Sequence, residues 1–478
     1  MSKPRMIRGC CSRNRWKDAI GWKEAIKDKI AASPASRVYF LTIMTTATHT
    51  LLDELRWRGL LYQHTEGVAA LFQHGTTSGY VGFDPTAKSL HVGSLVPIMA
   101  LVHLQRSGHR PIALVGGGTG LIGDPGGKTS ERALLSAEQV DVNVRGIRAQ
   151  LGRFLDFDDS EGRGVGAILV DNAEWLLTLR TIDFMRDVGK HFTVNYMMQK
   201  ESVRARLESG ISFTEFGYML LQAYDFLELH RRYGAMLQMG GSDQWGNITA
   251  GVELIRKVEG VDAQAATLPL VTTASGAKFG KTEAGAVWLD PSLTSPYEFY
   301  QFWLNVDDRD AGKYLRYFTL LGREEIESLD QATAERPERR EAQQVLARDM
   351  TERVHGGDAL RAAVEVSGFL FGGLEPTSLS VAALEVLSAE APFAEVRGAD
   401  VSDAQGQGLD VLKLLVAAGL AASNGAARRL LEQGGVSVNK RKLGAQERFV
   451  DGSTVLLKGS YLVLGKGRRE YAVVRVIR

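Results

Sequence analysis

The sequence contains very little cysteine and lacks any long apolar run. Its 478 residues include only two cysteines, the adjacent pair Cys10 and Cys11. The rest of the chain therefore has no disulfide framework and no thiolate metal site, as is usual in a reducing compartment. No segment approaches the roughly 18 consecutive apolar residues that a membrane-spanning helix needs. These absences predict a cytoplasmic protein without a membrane partner.

The net charge is nearly zero, but the charge is unevenly distributed along the chain. Residues 1–43 sum to +7 and residues 409–478 to +8, which leaves about −14 for residues 44–408 out of a total of +1. A basic C-terminal module on an acidic body indicates a polyanionic partner that binds mainly at that end.

Residues 1–43 show no sustained periodicity, and a globular pattern begins only near Thr50. Three interpretations compete for this segment: a translation start placed too early, a targeting peptide, or a disordered basic arm. Asp18, Glu24 and Asp28 argue against a transit peptide, because such peptides are poor in acidic residues. We favour the misplaced start, with Met44 as the initiator, and expect an unstructured extension.

From Tyr80 to about Val271, short apolar runs alternate with helical stretches. The predicted strands are SGYVGF, RPIALVGG, AILVDN, AMLQMGG and TLPLVT, with helices over residues 94–107 and 220–232. This alternation predicts an α/β domain with a Rossmann-like parallel sheet at 44–275. A largely α-helical domain is expected at 276–371, a linker rich in Gly, Pro and Ser at 372–408, and a small α+β domain at 409–478. The last domain should open with one or two short helices and end in strands, among them TVLLKG, SYLVLGK and EYAVVRVI.

The sequence GTGLIG at residues 118–123 matches the dinucleotide fingerprint and suggests an NAD(P) oxidoreductase. In that fingerprint the third glycine opens a helix that carries the pyrophosphate. Here Asp124, Pro125, Gly126 and Gly127 follow at once and would break a helix. The oxidoreductase hypothesis is therefore disfavoured.

Three further motifs lie where ligands bind in such a sheet. HVGS at residues 91–94 precedes an apolar helix, and a helix N-terminus suits a phosphate, although Ser94 could be a plain N-cap. KFGKT at 278–282 holds two lysines and a hydroxyl, and in isolation it would be a solvated basic turn. GGSDQWGN at 240–247 ends a strand, where doubly wound sheets bind ligands.

Together these motifs resemble those of the class I aminoacyl-tRNA synthetases, with HVGS in the place of HIGH and KFGKT in the place of KMSKS. Longer stretches resemble the tyrosyl enzymes of bacteria, namely GFDPTAKSLHVGS, GDPGGKTSER, DVGKHFTVNYMMQKESVRARLESGISFTEF, LQAYDF, MGGSDQWGNITAG and KFGKTEAGAVWLD. The resemblance extends from about Leu51 to the C-terminus. The final domain is similar to a small RNA-binding fold of a small-subunit ribosomal protein.

The resemblance implies a tyrosine–tRNA ligase with ATP as a substrate, Mg²⁺ arriving with the ATP, and no protein-bound metal. The implied catalytic residues, around the phosphates, are Lys278, Lys281, Thr282, Lys128, Arg132, His91 and Thr86. The implied ATP-binding residues are Gly82, Asp84, Gly93, Ser94, Gly241, Asp243 and Lys281. Ser94 departs from the last histidine of HIGH, and Val81 stands where some relatives have cysteine.

The resemblance also implies a pocket for L-tyrosine. Asp124, Tyr218 and Gln222 would bind the ammonium group, and Gln244 would lie near the carboxylate. Tyr80 and Asp225 would bind the phenolic hydroxyl and so determine specificity. Tyr218, Gln222 and Asp225 have the i, i+4, i+7 spacing of one helix face, although each could be an ordinary core or surface residue.

The implied partners are tRNA(Tyr) and a second copy of the chain, with a homodimer interface near residues 187–199. The RNA-binding candidates, which could instead be a solvated charge run, are Arg428, Arg429, Lys440, Arg441 and Lys442. Two alternatives stay open: a synthetase for another amino acid, tryptophan being the nearest, and a catalytically weakened RNA-binding regulator on the same fold.

Overall fold

The computed structural model describes residues 50–73, 75–124, 134–159, 165–204, 210–282, 285–403, 408–467 and 470–477. The chain divides into two units, Met1–Ala47 and Thr48–Arg478. The first unit, and with it the extension predicted at 1–43, lies outside the described residues. The second unit begins with a helix whose N-cap, Thr50, forms a capping box with Asp53.

A six-stranded sheet organises the first domain. Its strands are β1 (Gln63–His64), β2 (Ser78–Phe83), β3 (Arg110–Val115), β4 (Ile168–Asp171), β5 (Ala235–Gly241) and β6 (Gln264–Leu268). They lie in the order β1-β6-β5-β2-β3-β4. All neighbours are parallel except β1, which pairs antiparallel with β6. This arrangement confirms the predicted α/β class.

Helices cover both faces of this sheet and form an insertion between β4 and β5. They are α1 (Leu51–Arg58), α2 (Val68–Leu71), α3 (Leu95–Arg106), α4 (Ala137–Leu151), α5 (Ala173–Leu176), α6 (Thr181–Asp187), α7 (Val194–Met198), α8 (Glu201–Arg204), α9 (Phe213–Tyr233) and α10 (Trp245–Glu259). Helix α9 is longer than the predicted 220–232. It starts at a Ser212 N-cap that accepts from the Glu215 N–H and ends at Gly234, whose φ is +64°.

The strand predicted at TLPLVT was displaced. Strand β6 begins at Gln264 and ends at Leu268, so it contains only the first two residues of that run. Pro269 follows directly, and because proline has no N–H it cannot continue a central ladder. The predicted strands SGYVGF and AMLQMGG are confirmed at β2 and β5 with the expected bounds.

The predicted helical region is confirmed by five helices. They are α11 (Pro296–Leu304), α12 (Asp308–Phe318), α13 (Arg323–Glu335), α14 (Glu341–His355) and α15 (Gly357–Phe371). Helix α11 begins with a capping box between Ser295 and Glu298 and has a proline in its first turn. A short hairpin of β7 (Lys281–Thr282) and β8 (Gly285–Ala286) lies just before these helices.

The C-terminal domain contains a five-stranded sheet, β12-β11-β14-β15-β9, and the small pair β10-β13. The helices of this part are α16 (Val381–Glu390), α17 (Gly398–Val401), α18 (Val411–Ala417), α19 (Asn424–Glu432) and α20 (Gly452–Val455). The strands are β9 (Phe393–Arg397), β10 (Gly408–Asp410), β11 (Val436–Val438), β12 (Arg441–Lys442), β13 (Phe449–Asp451), β14 (Tyr461–Lys466) and β15 (Glu470–Ile477).

Two features of this domain differ from the sequence analysis. The segment predicted as a linker contains α16, and also β9, which pairs in parallel with β15. The run TVLLKG does not form the predicted strand: its first residues belong to α20, because the carboxylate of Asp451 accepts from the Ser453 N–H and starts a helical turn.

Candidate active site

The functional candidates lie mainly at the carboxyl ends of β2 and β5. These two strands are neighbours in the sheet. The chain, however, passes from β2 to β3, which lies on the opposite side of β2 from β5, and forms β5 only later. Such a switch point leaves a crevice at the strand ends. Gly82 and Asp84 lie at the end of β2, and Gly241 and Asp243 at the end of β5. A Cβ atom at Gly82 would meet no other atom within 4 Å, so this strand end faces open space.

Backbone hydrogen bonds hold the HVGS and KFGKT segments side by side. The Val92 N–H donates to the Val287 carbonyl at 3.0 Å, and the Val287 N–H donates to the Gly280 carbonyl at 3.0 Å. Gly280 has a φ of +76°, and a Cβ there would lie 2.5 Å from Cγ2 of Val92. Only glycine therefore fits this close approach. The two motifs form one wall of the crevice.

His91 is a neutral side chain with a defined tautomer. Its Nδ1 accepts the N–H of Gly93 at 3.0 Å, which leaves Nε2 to carry the proton. The ring edge is exposed to solvent, but partial desolvation by the surrounding protein lowers the pKa of His91, and the positive charges of Lys278 and Lys281 lower it further. The imidazole is thus a hydrogen-bond donor beside two cations.

Phe279 anchors the KFGKT segment in the helical domain. Its ring is buried and stacks on Phe318, with centroids 5.3 Å apart and an interplanar angle of 14°. It also contacts Tyr314 at 4.8 Å and Trp303 at 5.8 Å. Because Phe279 lies between Lys278 and Lys281 in sequence, its burial fixes the backbone positions from which the two lysine side chains extend.

Acidic and amide side chains line the opposite side of the crevice. The Tyr218 hydroxyl donates to Oδ2 of Asp84 at 2.7 Å, although the resemblance placed Asp84 on the nucleotide side. Nε2 of Gln244 donates to Oδ2 of Asp124 at 2.6 Å. Burial raises the pKa of Tyr218 well above its ordinary value, and Asp84 and Asp124 raise it further.

Gln222 and Gln244 are joined by a residue to which the sequence analysis gave no role. Nδ2 of Asn247 donates to Oε1 of Gln222 at 3.0 Å and to Oε1 of Gln244 at 3.3 Å. Asp243 lies between the two ends of the site: burial and Asp124 raise its pKa, whereas Lys278 lowers it. The crevice therefore has an acidic end and a basic end.

Asp225 and Tyr80 form the deepest part of the site, and both are almost fully buried. The carboxylate of Asp225 accepts from Nδ2 of Asn172 at 2.9 Å and from Nε1 of Trp175 at 2.8 Å. Burial nevertheless raises the pKa of Asp225 to about 8. Among the described residues, no polar atom forms a hydrogen bond with the Tyr80 hydroxyl. Burial, with the charge of Asp225, raises the pKa of Tyr80 well above its ordinary value.

The remaining site candidates have less defined surroundings. Thr86 is exposed, and its N–H donates to the Asp84 carbonyl at 2.9 Å. Ser94 precedes α3 without a side-chain capping bond. Lys128 and Arg132 lie outside the described residues, and so does the side chain of Thr282.

The five basic candidates of the C-terminal domain have different surroundings. Arg428 and Arg429 are exposed on α19, and Lys442 is exposed on β12. Arg441 is paired with Glu447 at 2.6 Å. The ammonium of Lys440 donates to the carbonyl of Phe369 in α15 and lies 4.4 Å from the centre of that ring. Lys440 thus holds the C-terminal domain against the helical domain.

Sequence reasoning missed Thr119, Asn172, Trp175 and Asn247. Asn172 directly follows β4, so the rule that ligands bind at parallel strand ends could have found it. Within the described ranges, no group of three or more His, Cys, Asp or Glu side chains could hold a metal ion. Of the helices in the same ranges, none is long and apolar enough to cross a membrane.

Comparison with known families identifies two matching models. The model described as tRNA synthetases class I (W and Y) matches residues 73–372. The model described as Tyrosine--tRNA ligase SYY-like C-terminal domain matches residues 391–474. The second match begins just before β9, inside the segment predicted as a linker.

The chain is also similar to individual tyrosine–tRNA ligases and to a solved tyrosyl-tRNA synthetase structure. The chain is 54% identical to the tyrosine–tRNA ligase of Roseiflexus castenholzii over 435 residues, which cover 90% of this chain and 100% of that protein. It is 50% identical to that of Bacillus caldotenax over 433 residues, covering 89% and 99%. Among solved structures, a C-terminally truncated mitochondrial tyrosyl-tRNA synthetase of Aspergillus nidulans is similar, with a TM-score of 0.60, 28% identity, and coverage of 71% of this chain and 98% of that one.

Proposed function

The chain belongs to the class I tyrosyl-tRNA synthetases, and from this membership we propose how its residues activate L-tyrosine with ATP and esterify it to tRNA(Tyr). In the first step the tyrosine carboxylate attacks the α-phosphorus of ATP and pyrophosphate leaves. The carboxylate is already ionised at pH 7, so the step requires no general base. The protein must position the reactants in line and stabilise the charge that moves onto pyrophosphate.

The Tyr80 hydroxyl is the observation that supports the tyrosine pocket most directly. It is buried beside Asp225, and in the described part of the chain no polar atom satisfies it. With a pKa of about 8, Asp225 is mostly a neutral carboxyl group at pH 7, and its oxygens keep acceptor capacity beyond the two bonds from Asn172 and Trp175. The phenolic hydroxyl of a bound tyrosine would hydrogen-bond to both Tyr80 and Asp225. Phenylalanine would leave the Tyr80 hydroxyl buried and unpaired, which is costly, and would leave the remaining acceptor positions of Asp225 unused.

The acidic end of the crevice suits the ammonium group of tyrosine. Asp124, Tyr218 and Gln222 would bind it, as the resemblance implies, and Asp84 contributes through its bond with Tyr218. Gln244, held by Asp124 and Asn247, would lie near the carboxylate. These assignments orient the amino acid with its carboxylate toward the basic end.

The basic end suits the triphosphate. Lys278 and Lys281 would stabilise the charge on the departing pyrophosphate, and His91 would donate from Nε2 to a phosphate oxygen. Contact with the phosphates is also the role we propose for Lys128, Arg132, Thr282 and Thr86. Gly82, Gly93, Ser94, Gly241 and Asp243 would line the nucleoside. Magnesium would arrive with ATP as part of the substrate.

For the second step we propose that the basic C-terminal domain binds tRNA(Tyr), with Arg428, Arg429 and Lys442 facing its phosphates. A homodimer is supported by exposed apolar side chains on the insertion and at the start of α9. These are Ile182, Met185, Val194 and Phe213. Exposed apolar side chains usually mark an interface where they are contiguous on the surface. Light scattering at micromolar concentration should give twice the monomer mass. The low cysteine content supports a cytoplasmic location.

Tyrosine-dependent exchange of pyrophosphate into ATP tests the proposal. The parent protein should catalyse exchange with tyrosine and not with tryptophan or phenylalanine. Lys281→Ala should lower the rate of adenylate formation far more than it weakens tyrosine binding, because its contact strengthens as charge develops. Asp225→Ala should instead weaken tyrosine binding. Exchange with tryptophan would support the alternative amino acid, and tRNA binding without any exchange would support the regulator.

A further inference from the structure

Thr119 lies at the centre of a chain of hydrogen bonds that joins two acidic side chains of the site, Asp225 and Asp84. Nδ2 of Asn172 donates both to Oδ2 of Asp225 at 2.9 Å and to Oγ1 of Thr119 at 3.0 Å. The Thr119 hydroxyl then donates to Oδ1 of Asp84 at 2.8 Å. Tyr218 donates to the other oxygen of Asp84. The network therefore extends from the phenol end of the pocket to the ammonium end.

The surroundings fix the direction of these bonds. Oδ1 of Asn172 accepts the N–H of Gly118 at 2.8 Å and that of Thr119 at 3.4 Å, so its NH₂ group must face Asp225 and the Thr119 hydroxyl. An NH₂ group only donates. The Thr119 oxygen thus accepts from Asn172, and its own proton is directed to Asp84.

The fold provides the space that this arrangement needs. A Cβ at Gly116 would lie 2.3 Å from Oδ1 of Asp84 and 2.4 Å from Oγ1 of Thr119, so only glycine permits that bond. Thr119 and Asn172 are 2% and 1% exposed. Solvent therefore cannot replace the hydroxyl without rearrangement.

We propose that Thr119 is a positioning residue that couples the tyrosine-specificity carboxylate Asp225 to Asp84. This inference rests on the proposed function of the site. Bonds in a buried network polarise one another. A phenol that donates to Asp225 makes its carboxyl group a weaker acceptor for Asn172, so the Asn172 amide donates more strongly to Thr119, and the Thr119 hydroxyl donates more strongly to Asp84. With both of its oxygens held, Asp84 keeps Tyr218 in place for the ammonium group. The correct amino acid thereby helps to orient its own reacting carboxylate.

The test compares Thr119→Val, which keeps the shape and loses the hydroxyl, with Thr119→Ser, which keeps the hydroxyl. Thr119→Val should lower the rate of adenylate formation about tenfold, the effect of one hydrogen bond to a charged acceptor. Thr119→Ser should stay near the parent. Thermal unfolding of both variants accompanies the kinetics. If Thr119→Val does not fold, Thr119→Cys, with a weakly donating thiol of similar size, replaces it.

A double-mutant cycle separates coupling from packing. Asp84→Asn and Asp225→Asn are combined in the parent, Thr119→Ser and Thr119→Val backgrounds, and tyrosine affinity is measured by equilibrium dialysis. The coupling between the two changes should be clearly larger in the parent and in Thr119→Ser than in Thr119→Val, where only the direct charge interaction between Asp84 and Asp225 remains. Coupling of unchanged size in Thr119→Val, or equal losses in the Val and Ser variants, would overturn the inference. Failure of the proposed function would appear differently, as a parent without tyrosine-dependent exchange.

Discussion

Replacing Phe279 by alanine should detach the KFGKT segment from the helical domain and leave the tyrosine pocket intact. The ring is 5% exposed and contacts four aromatic side chains, those of Phe302, Trp303, Tyr314 and Phe318. Core Phe→Ala changes cost about 3–5 kcal/mol. Because folding free energies are about 5–15 kcal/mol, we expect the variant to fold with a lower melting temperature.

The expected kinetic effect follows from the packing free energy that Phe279→Ala removes. If about 3 kcal/mol of anchoring is lost, the fraction of molecules with Lys278 and Lys281 in place falls by up to about a hundredfold, at about 1.4 kcal/mol per factor of ten. The bond from Val287 to Gly280 still restrains the segment, so a hundredfold is an upper bound. Adenylate formation should slow by about ten- to a hundredfold, while tyrosine affinity should stay near that of the parent.

Phe302→Ala is the matched control. Phe302 contacts Phe279 at 5.7 Å and belongs to the same aromatic cluster, but it lies on α11 and not in the KFGKT segment. It should lower stability without a comparable loss of rate. Stopped-flow measurement of adenylate formation, equilibrium dialysis of tyrosine and thermal unfolding give the three quantities. Equal slowing in both variants, or a parallel loss of tyrosine affinity in Phe279→Ala, would refute the anchoring argument.

Three further predictions concern the buried side chain of Asp225 and the C-terminal domain. The pKa of Asp225 is about 8 in the folded protein against 3.8 when unperturbed, so its contribution to stability is full below pH 3.8 and is lost as pH rises toward 8. Asp225→Asn should therefore gain stability relative to the parent between pH 5 and pH 8 in denaturant titrations, whereas a constant difference would mean that Asn172 and Trp175 keep the group ionised. Arg428→Ala with Arg429→Ala should weaken tRNA binding and flatten its salt dependence in filter-binding assays. Lys440→Ala should instead increase the proteolytic sensitivity of the domain junction, and the reverse pattern would show that Lys440 is the phosphate ligand.

The central strands could be predicted because each is a short apolar run bounded by glycine or polar residues. Predictions failed where a local feature or a distant partner decided the structure. Pro269 ended β6 early, and the Asp451 cap turned TVLLKG into a helical start. Strand β9 could not be recognised, because it is defined by pairing with β15 near the end of the chain.

The candidate site also contains some residues that a local motif predicts and others that only the fold brings together. Each of the HVGS, KFGKT and GGSDQWGN motifs is a continuous stretch of sequence and could be recognised locally. The structure brings Lys278 close enough to His91 and Asp243 for its charge to lower the pKa of both. Asn172 and Trp175 reach Asp225 only because the register of β4 beside β3 places the end of β4 there. No local pattern in a single sequence indicates that register.

The pairing of β9 with β15 has a consequence for how the protein is made. Strand β9 emerges from the ribosome well before β15, which follows every other strand of the described residues. Until then, Val473 and Val474 are absent from the clusters that they complete, and β9 and β14 are open strand edges prone to wrong pairing. A product that stops before Glu470 would lack β15 and would keep these edges exposed. The exposed edges of this single sheet would thus mark a chain that lacks β15.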